Sequence, residues 1–561
     1  MTLSLIFAIA VAKIEVYIPE LTSITIIVSI LSLNHANILF SGKKLSLSKI
    51  DIPVILLAIL YLISMLVKSQ YTNIISIYKY SLSIVLFIVV RTINIRSHDF
   101  LWSIWFVGLL ESLFILCHYY VINLHYNGIR IVTHFCNPAL AGCLLSLSLI
   151  SIVLFIKLGV QSNRVRWFYI LSIPVLLFPI IIIDSRAAFI ALVFALLLVN
   201  INEIRRIVLA NKCIVYILII TTLFGIFLLY NYRPDSVHGR FLIWRIALAN
   251  LSDNFITGQG VNSFEATYMF NQADFFSENV GIVYQNVADN VYQVFNLFIK
   301  SLYEIGIMGC MLLFLIMVPI VKAIFSNDKE LRYTGIMTLM IFIFSLFGYP
   351  EDSVILLSIW IILYAICINR MVINSQCTCM RMRVRFRAVA IIILFVIIPL
   401  LSWNWWKMRK IENVLEQEGL VAVLGERAIM DLPMIPEVWH RVAFDTYKNV
   451  NDTKLKERII SKALSVAPHS ELCVYLGNLY MDNCQYLLAE NYYEMASNMV
   501  PALIYPRYKL FKLYEVTGQT SKTKKIGEEI LNMEIKIVIS LVLKIKNEVR
   551  VKIAQISESP K

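Results

Sequence analysis

The chain has 561 residues, of which 59% are hydrophobic and 16% charged, and its mean hydropathy is +0.74. A soluble fold cannot bury that much apolar surface, and apolar runs of about 18 or more residues are typical of membrane spans. The formal net charge of +13 does not indicate nucleic-acid binding. The basic residues stand in short clusters between apolar runs, where they encode membrane topology.

The apolar runs predict an all-α, polytopic membrane helix bundle of about 12–13 spans. They lie at roughly 2–18, 21–40, 53–67, 72–90, 100–122, 138–156, 167–183, 187–201, 213–230, 294–321, 334–349, 353–369 and 388–404. We expect no cleavable signal peptide, because the first run has no basic segment before it and a second run follows closely. Basic clusters follow the even-numbered runs, as at Arg91 and Arg96 or Arg381 and Arg383. This pattern predicts a cytoplasmic N-terminus.

The composition becomes charged and helical after residue 404, which divides the chain into a membrane domain, 1–404, and a second domain, 405–561. The charge pattern predicts that a large loop at 231–293 is extracytoplasmic. With thirteen spans, everything after Trp405 is predicted to be extracytoplasmic as well. In the second domain Leu476-Gly477-x-x-Tyr480 is followed by Ala489, Tyr493, Ala496 and Pro501, and Leu510 and Tyr514 recur 34 residues later. This spacing predicts an extracytoplasmic α-helical repeat of the tetratricopeptide (TPR-like) kind, a fold that presents binding surfaces.

Three arginines lie at the predicted outer ends of separate spans: Arg130, Arg186 and Arg240. A guanidinium near hydrocarbon costs a few kcal/mol, and its planar fork suits phosphate oxygens. The three can therefore form a basic pocket for a phosphate or pyrophosphate. Two alternatives stay open: Arg186 can snorkel and pair with Asp184, and Arg240 can be an ordinary interfacial anchor beside Trp244.

The loop also carries groups suited to sugars. Amides at Asn290, Gln293 and Asn296 can bond hydroxyls, and the aromatic residues can stack on sugar faces; these are Tyr268, Phe270, Phe275, Phe276 and Tyr284. The alternative is that they only pack the loop. Gly258-Gln259-Gly260 lacks the third glycine of a dinucleotide site and predicts a tight turn. Glu304, inside a span, is a functional candidate, or else it pairs with a buried basic group.

In their order and spacing these residues resemble the O-antigen ligase and polymerase superfamily, which includes bacterial O-linked oligosaccharyltransferases. The resemblance covers roughly 120–310 by motif and 1–404 by architecture. The matching pieces are Arg130 with Phe135-Cys136-Asn137-Pro138, Ser185-Arg186, Gly239-Arg240-x-x-x-Trp244, Gly258-x-Gly260-x-x-x-Phe264, and Asn296-Leu297-Phe298-Ile299-x4-Glu304-x-Gly306. The family's last motif opens with His-Asn, whereas Phe295 precedes Asn296 here.

The resemblance implies a metal-independent, inverting glycosyltransferase without cofactors, in the bacterial inner membrane, with a periplasmic C-terminal domain. Its implied partners are an undecaprenyl-pyrophosphate-linked oligosaccharide donor, a glycan, lipid A core or protein acceptor, and other assembly proteins on the TPR-like domain. The implied catalytic residues are Arg186, Arg240, Asn296, Gln293 and Asp289; the implied substrate-binding residues are Arg130, Trp244, Asn290, Glu304 and Asn137. In place of the histidine, Gln293, Asn290 or Asp289 can take part of its role, or the acceptor needs no base.

Two other functions fit a membrane protein of this composition. One is a transporter or flippase for lipid-linked glycan, which favours internal repeats among the spans; none is found in the sequence. The other is a non-catalytic scaffold that presents the TPR-like array to periplasmic partners.

Overall fold

The computed structural model describes residues 48–92, 95–122, 133–135, 137–159, 163–210, 225, 231–251, 254–278, 283–375, 419–432, 434–534 and 540–558. Within these ranges the regular structure is entirely helical, as the sequence predicts. The first twelve helices are α1 (Ile52–Val67), α2 (Ile74–Thr92), α3 (Ser97–Ile122), α4 (Pro138–Leu158), α5 (Asn163–Ile183), α6 (Arg186–Val199), α7 (Ile201–Ala210), α8 (Pro234–Ala249), α9 (Ser263–Glu278), α10 (Leu297–Ile324), α11 (Lys329–Ser345) and α12 (Val354–Ser375).

Seven of the described helices are long and apolar enough to cross a membrane: α1 to α5, α10 and α12. They confirm the apolar runs that the sequence places there. The runs at 187–201 and 334–349 coincide with α6 and α11, which are shorter. The runs at 2–18, 21–40 and 388–404 lie outside the described residues, and of 213–230 only residue 225 is described.

The bundle packs around α4, most of whose residues are buried. Small residues let its neighbours approach closely. A Cβ added at Gly142 would lie 3.1 Å from the Cβ of Ser185, directly before α6. The hydroxyl of Ser148 donates to the carbonyls of Leu144 and Ile104, at 2.8 and 3.0 Å. Small and hydroxyl residues at such crossings are typical of helix packing in lipid.

The connections between helices separate into two ends, and the separation agrees with the one predicted from charge. At one end, the basic end, Arg91 donates to both carboxylate oxygens of Asp51, at 2.7 and 2.8 Å. Arg370 there lies 2.8 Å from Asp328.

We call the opposite end, which carries residues 231–296, the loop end. Asn137 before α4 donates to the hydroxyl of Tyr349, between α11 and α12, at 2.6 Å. Arg186 at the start of α6 donates to the carbonyl of Arg233, before α8, at 3.3 Å. Connections predicted to share one side of the membrane therefore contact one another.

The Gly258-Gln259-Gly260 segment forms the predicted tight turn, which docks onto a kink in α10. The backbone N–H groups of Gln259 and Gly260 donate to the carbonyls of Tyr303 and Glu304, at 2.7 and 2.8 Å. Gly258 has φ +68° and Gly306, at the kink, has φ +73°. A Cβ on Gly258 would overlap the backbone carbonyl of Glu304, so the close approach requires glycine.

The C-terminal domain consists of helix hairpins that repeat every 34 residues. Two short helices, α13 (Leu420–Leu424) and α14 (Glu426–Met430), precede α15 (Pro436–Asn449), α16 (Thr453–Val466), α17 (Ser470–Asp482), α18 (Tyr486–Met499), α19 (Ile504–Val516), α20 (Thr520–Asn532) and α21 (Ser540–Glu558). The first helices of successive hairpins begin at 436, 470 and 504. Gly477 lets α17 approach the ring of Tyr493 on α18, as the sequence pattern predicts.

This repeat domain and the loop share one hydrophobic core. A single cluster of buried side chains contains Phe264 and Tyr268 from the loop together with Trp439 and Leu476 from the repeats. Gln272, fully buried on α9, donates 2.5 Å to the carbonyl of Met499. The described part of the loop therefore packs against the repeat domain as well as against the membrane helices.

Candidate active site at the loop end

The loop end brings two of the predicted arginines together. Arg186 is the first residue of α6 and follows Ser185, whose side chain caps the helix by accepting from the N–H of Ala188. Arg240 lies on α8. Burial, followed by the positive charge of Arg186, lowers the pKa of Arg240 to about 10. Arg186 also bonds the carbonyl of Arg233, directly before α8, so the two guanidiniums belong to one region, where their like charges favour an anion.

Asp184, two residues before Arg186, lies 3.1 Å from the guanidinium of Arg233. The turn before α6 therefore joins an ion pair with the segment that leads to α8.

Aromatic rings hold Arg240 in place. Its guanidinium lies 5.4 Å from the ring centre of Phe295, a cation–π distance. Phe295 meets the ring of Tyr349 edge-on at 5.4 Å, and Tyr349 accepts the amide of Asn137. Phe295 also has φ +57°, an uncommon conformation for a bulky residue that is often found at functional sites.

Asn296 holds this arrangement at the start of α10. Its side-chain oxygen caps α10 by accepting from the N–H groups of Phe298 and Ile299, at 3.0 and 3.1 Å. Its amide nitrogen donates to the carbonyl of Leu346 at 3.2 Å, which ties α10 to the segment that carries Tyr349. With both polar atoms used in this way, Asn296 orients the site.

Trp244 and Gln293 lie at the segment that leads to Phe295. The indole N–H of Trp244 donates to the carbonyl of Val294 at 2.9 Å, so α8 holds the extended segment that leads to Phe295. Gln293 is half-buried in this segment.

Asp289 and Asn290 lie instead at the contact with the repeat domain. Asn290 exchanges two hydrogen bonds with Ser470, at 3.1 and 3.3 Å. Asp289 is exposed, and its backbone carbonyl accepts from Gln272 at 3.1 Å. Tyr292 continues this contact at 3.3 Å from the imidazole of His440. The structure thus does not join Asp289 and Asn290 to the pair of arginines.

Residues 171–314 match a protein-family model described as O-Antigen ligase. The matched segment, which we call the ligase-like segment, runs from α5 into α10 and contains Arg186, Arg240, Phe295 and Glu304. It supports membership of the O-antigen ligase superfamily, and with it an enzyme of membrane glycan assembly in the ligase or polymerase class. A comparison with curated proteins gives no match to the chain.

Glu304, near the end of the ligase-like segment, belongs to a buried group of charges. Its Oε1 accepts from the N–H of Asn262 at 3.2 Å, and its Oε2 has no hydrogen-bond partner among the described residues. One turn earlier, Lys300 lies 2.7 Å from Asp352, which also pairs with Lys79 at 3.0 Å. Lys300 and Lys79 both form ion pairs with Asp352, and the sequence alternative, in which Glu304 itself pairs with a buried basic group, stays a prediction.

Two residues of the site lie beyond the ligase-like segment and were not predicted from sequence. Tyr349 orders Phe295 and Asn137. Asp352 anchors the same connection to α2 and α10: burial opposes its ionisation, but the charges of Lys300 and Lys79 hold the pKa of Asp352 well below its usual range. The only sequence signal was an acidic pair, Glu351-Asp352, in a short connection at the loop end.

Two predictions from sequence, the role of Arg130 and the independence from metal, are not tested by the described residues. Arg130 lies outside the described residues. Among those described, no three His, Cys, Asp or Glu side chains are placed to hold a metal ion. Metal independence stays a prediction.

Proposed function

We propose that the protein transfers or polymerises glycan carried on undecaprenyl pyrophosphate, at the periplasmic face of the bacterial inner membrane. The observation that carries this proposal is that Arg186 bonds the residue directly before α8, while Arg240 on α8 lies within its electrostatic range and against the ring of Phe295. A pyrophosphate supplies the negative charge that two adjacent guanidiniums favour. The loop side chains proposed to contact sugars are the partly exposed Gln293, Phe270, Phe275 and Tyr284.

The chemistry follows from the placement of charge. An acceptor hydroxyl attacks the anomeric carbon from the face opposite the phosphate, forms a new C–O bond and inverts that carbon. The bond to the phosphate oxygen breaks, and the lipid pyrophosphate departs with the electron pair. Arg186 and Arg240 stabilise the charge that develops on it, a contribution of about 3–4 kcal/mol for one such group.

The proposed orientation rests on the basic clusters, which favour the cytoplasm for the basic end. The loop end and the repeat domain are then periplasmic. The 34-residue period supports a TPR-like array, and its shared core with the loop favours a role in holding the active site. Other assembly proteins remain possible partners for its outer surface.

The test uses a strain that lacks the gene and carries variants of it. We expect Arg186→Ala and Arg240→Ala each to abolish the surface glycan product while the protein remains in the membrane. Arg245→Ala is the matched control, because Arg245 lies on the same helix but contacts Phe275 instead. Near-normal product from either site variant would overturn the proposal.

The glycan profile of the same strain separates the reaction types. Single repeat units on the surface acceptor indicate a lost polymerase. Long chains that stay on the lipid carrier indicate a lost ligase. Failure of the lipid-linked donor to reach the periplasmic leaflet would indicate the alternative, a transporter, and unchanged profiles in both arginine variants would favour a scaffold.

A further inference from the structure

A buried carboxylate–histidine pair lies near the candidate active site and has no part in the chemistry described so far. Glu111 is on α3, and its side chain is fully buried. Its Oε2 lies 2.6 Å from Nδ1 of His134, and its Oε1 accepts from the backbone N–H of the same residue at 3.0 Å. Both oxygens of one carboxylate therefore orient one histidine.

This geometry determines what the imidazole can do. A carboxylate that accepts from Nδ1 keeps the proton on that nitrogen and leaves Nε2 as the free base. The ring is also held by Phe114, at 4.1 Å between ring centres. The imidazole retains 14% exposure, so it is fixed in place and still open to a small group.

Packing alone does not account for the pair. A carboxylate inside a membrane helix is costly, and ionisable groups in such positions usually serve a function. An apolar pair of similar volume is often as stable as a buried ion pair. A second histidine, His118, also contacts Phe114, at 5.2 Å between ring centres.

The position of His134 connects it with the candidate site. It lies three residues before Asn137, which bonds Tyr349 at 2.6 Å. Tyr349 contacts Phe295, on which Arg240 lies. At the start of α4, Gly142 adjoins Ser185, the residue before Arg186. The beginning of α4 thus adjoins both the histidine segment and the arginine-bearing turn.

We propose that His134 is the general base of the transfer reaction, with Glu111 as its positioning residue; this rests on the function proposed above. The acceptor hydroxyl gives its proton to Nε2 of His134 as its oxygen bonds to the anomeric carbon. The lipid pyrophosphate leaves with the electron pair of the broken C–O bond, between Arg186 and Arg240. The proton then passes from the imidazole to water, which restores the neutral ring.

The test uses the purified full chain in lipid nanodiscs, with the lipid-linked glycan and acceptor extracted from the deletion strain. We expect His134→Gln to lower kcat by about 10²–10⁴-fold, the usual contribution of a general base. It should leave KM for the lipid-linked glycan within about twofold. Glu111→Gln should lower kcat by about 10–100-fold, as loss of an orienting partner does.

Chemical rescue distinguishes a lost base from a damaged fold. Imidazole added to His134→Ala should restore turnover, whereas it should not rescue Arg186→Ala. His118→Gln is the matched control, from the helix that carries Glu111, and should keep the wild-type kcat. A His134→Gln enzyme with the wild-type kcat would overturn the inference, as would an equal loss in His118→Gln. In that event inactive arginine variants would still support the proposed function; active arginine variants would refute that function itself.

Discussion

Arg240→Gln tests whether the two arginines are held together for a ligand or for the fold. Burial, and then the charge of Arg186, lowers the pKa of Arg240 from its usual value to about 10. At about 1.4 kcal/mol for each pH unit, this displacement opposes the charged form by roughly 3 kcal/mol. Arg240 is only partly buried, so solvent screening reduces that figure, and the contact with Phe295 offsets about 1 kcal/mol. A destabilisation of the folded wild type on the order of 1 kcal/mol remains.

The sign of the effect does not change across the physiological range. Arg240 has its pKa near 10 and stays charged below that pH, so the cost persists from neutral pH down to acid. We therefore expect Arg240→Gln to unfold at the same temperature as the wild type or slightly above it. Turnover should nevertheless fall by about 10²–10³-fold, because a group that stabilises the departing pyrophosphate is lost.

Thermal unfolding in nanodiscs, with and without inorganic pyrophosphate, measures both parts. A ligand that binds only the folded state raises its Tm, so pyrophosphate should raise the Tm of the wild type and not that of Arg240→Gln. Arg245→Gln serves as the control and should respond as the wild type does. A large drop in Tm together with normal turnover would refute the reasoning and make Arg240 a structural residue.

Three further predictions concern the loop and the repeat domain. Gly258→Ala should abolish folding of the loop, measured by protease resistance, whereas Gly425→Ala, at a similar φ but with open space around it, should cost only about 1 kcal/mol. Burial, and then His440, lower the pKa of His469 to about 4. The neutral form of His469 therefore stabilises the domain contact above about pH 6.5, and that stability is lost as the pH falls towards 4. His469→Asn should remove this pH dependence of proteolysis. Gln272→Leu should release the repeat domain to protease and lower turnover, because the buried carbonyl of Met499 and the partly buried carbonyl of Asp289 lose their donor. Unchanged turnover would refute the coupling.

The helices and their grouping could be predicted from sequence because those signals are local. A run of about 20 apolar residues has few alternatives to a membrane helix, and basic clusters sort the connections between helices. The glycine turn at Gly258 and the 34-residue period in the repeat domain are also local patterns. Each of them is present in the structure.

The neighbours across the bundle could not be predicted in the same way. Asn137 and Tyr349 are 212 positions apart in the chain, and Lys79 and Asp352 are 273 apart. A sequence pattern shows which face of a helix is polar and does not show which helix that face meets. For the same reason Asn290 looked like a sugar ligand in sequence, although its amide bonds Ser470 of the repeat domain.

Phe295, which stands where the family's motif has histidine, allows a test of the inference about His134. The family's motif has histidine at this position, and histidine is enriched among residues at positive φ, so Phe295→His should fold with φ near the present +57°. Its imidazole would lie between Arg240 and Tyr349, where it can accept a proton from an acceptor hydroxyl. If His134 acts as the base in place of the family's histidine, adding Phe295→His to the His134→Gln variant should raise its turnover about tenfold or more, part of a general base's usual contribution. Phe295→Leu in the same background is the control and should restore none. Equal turnover of the two double variants would show that a base at this position does not replace His134, and that the two positions do not serve one proton transfer.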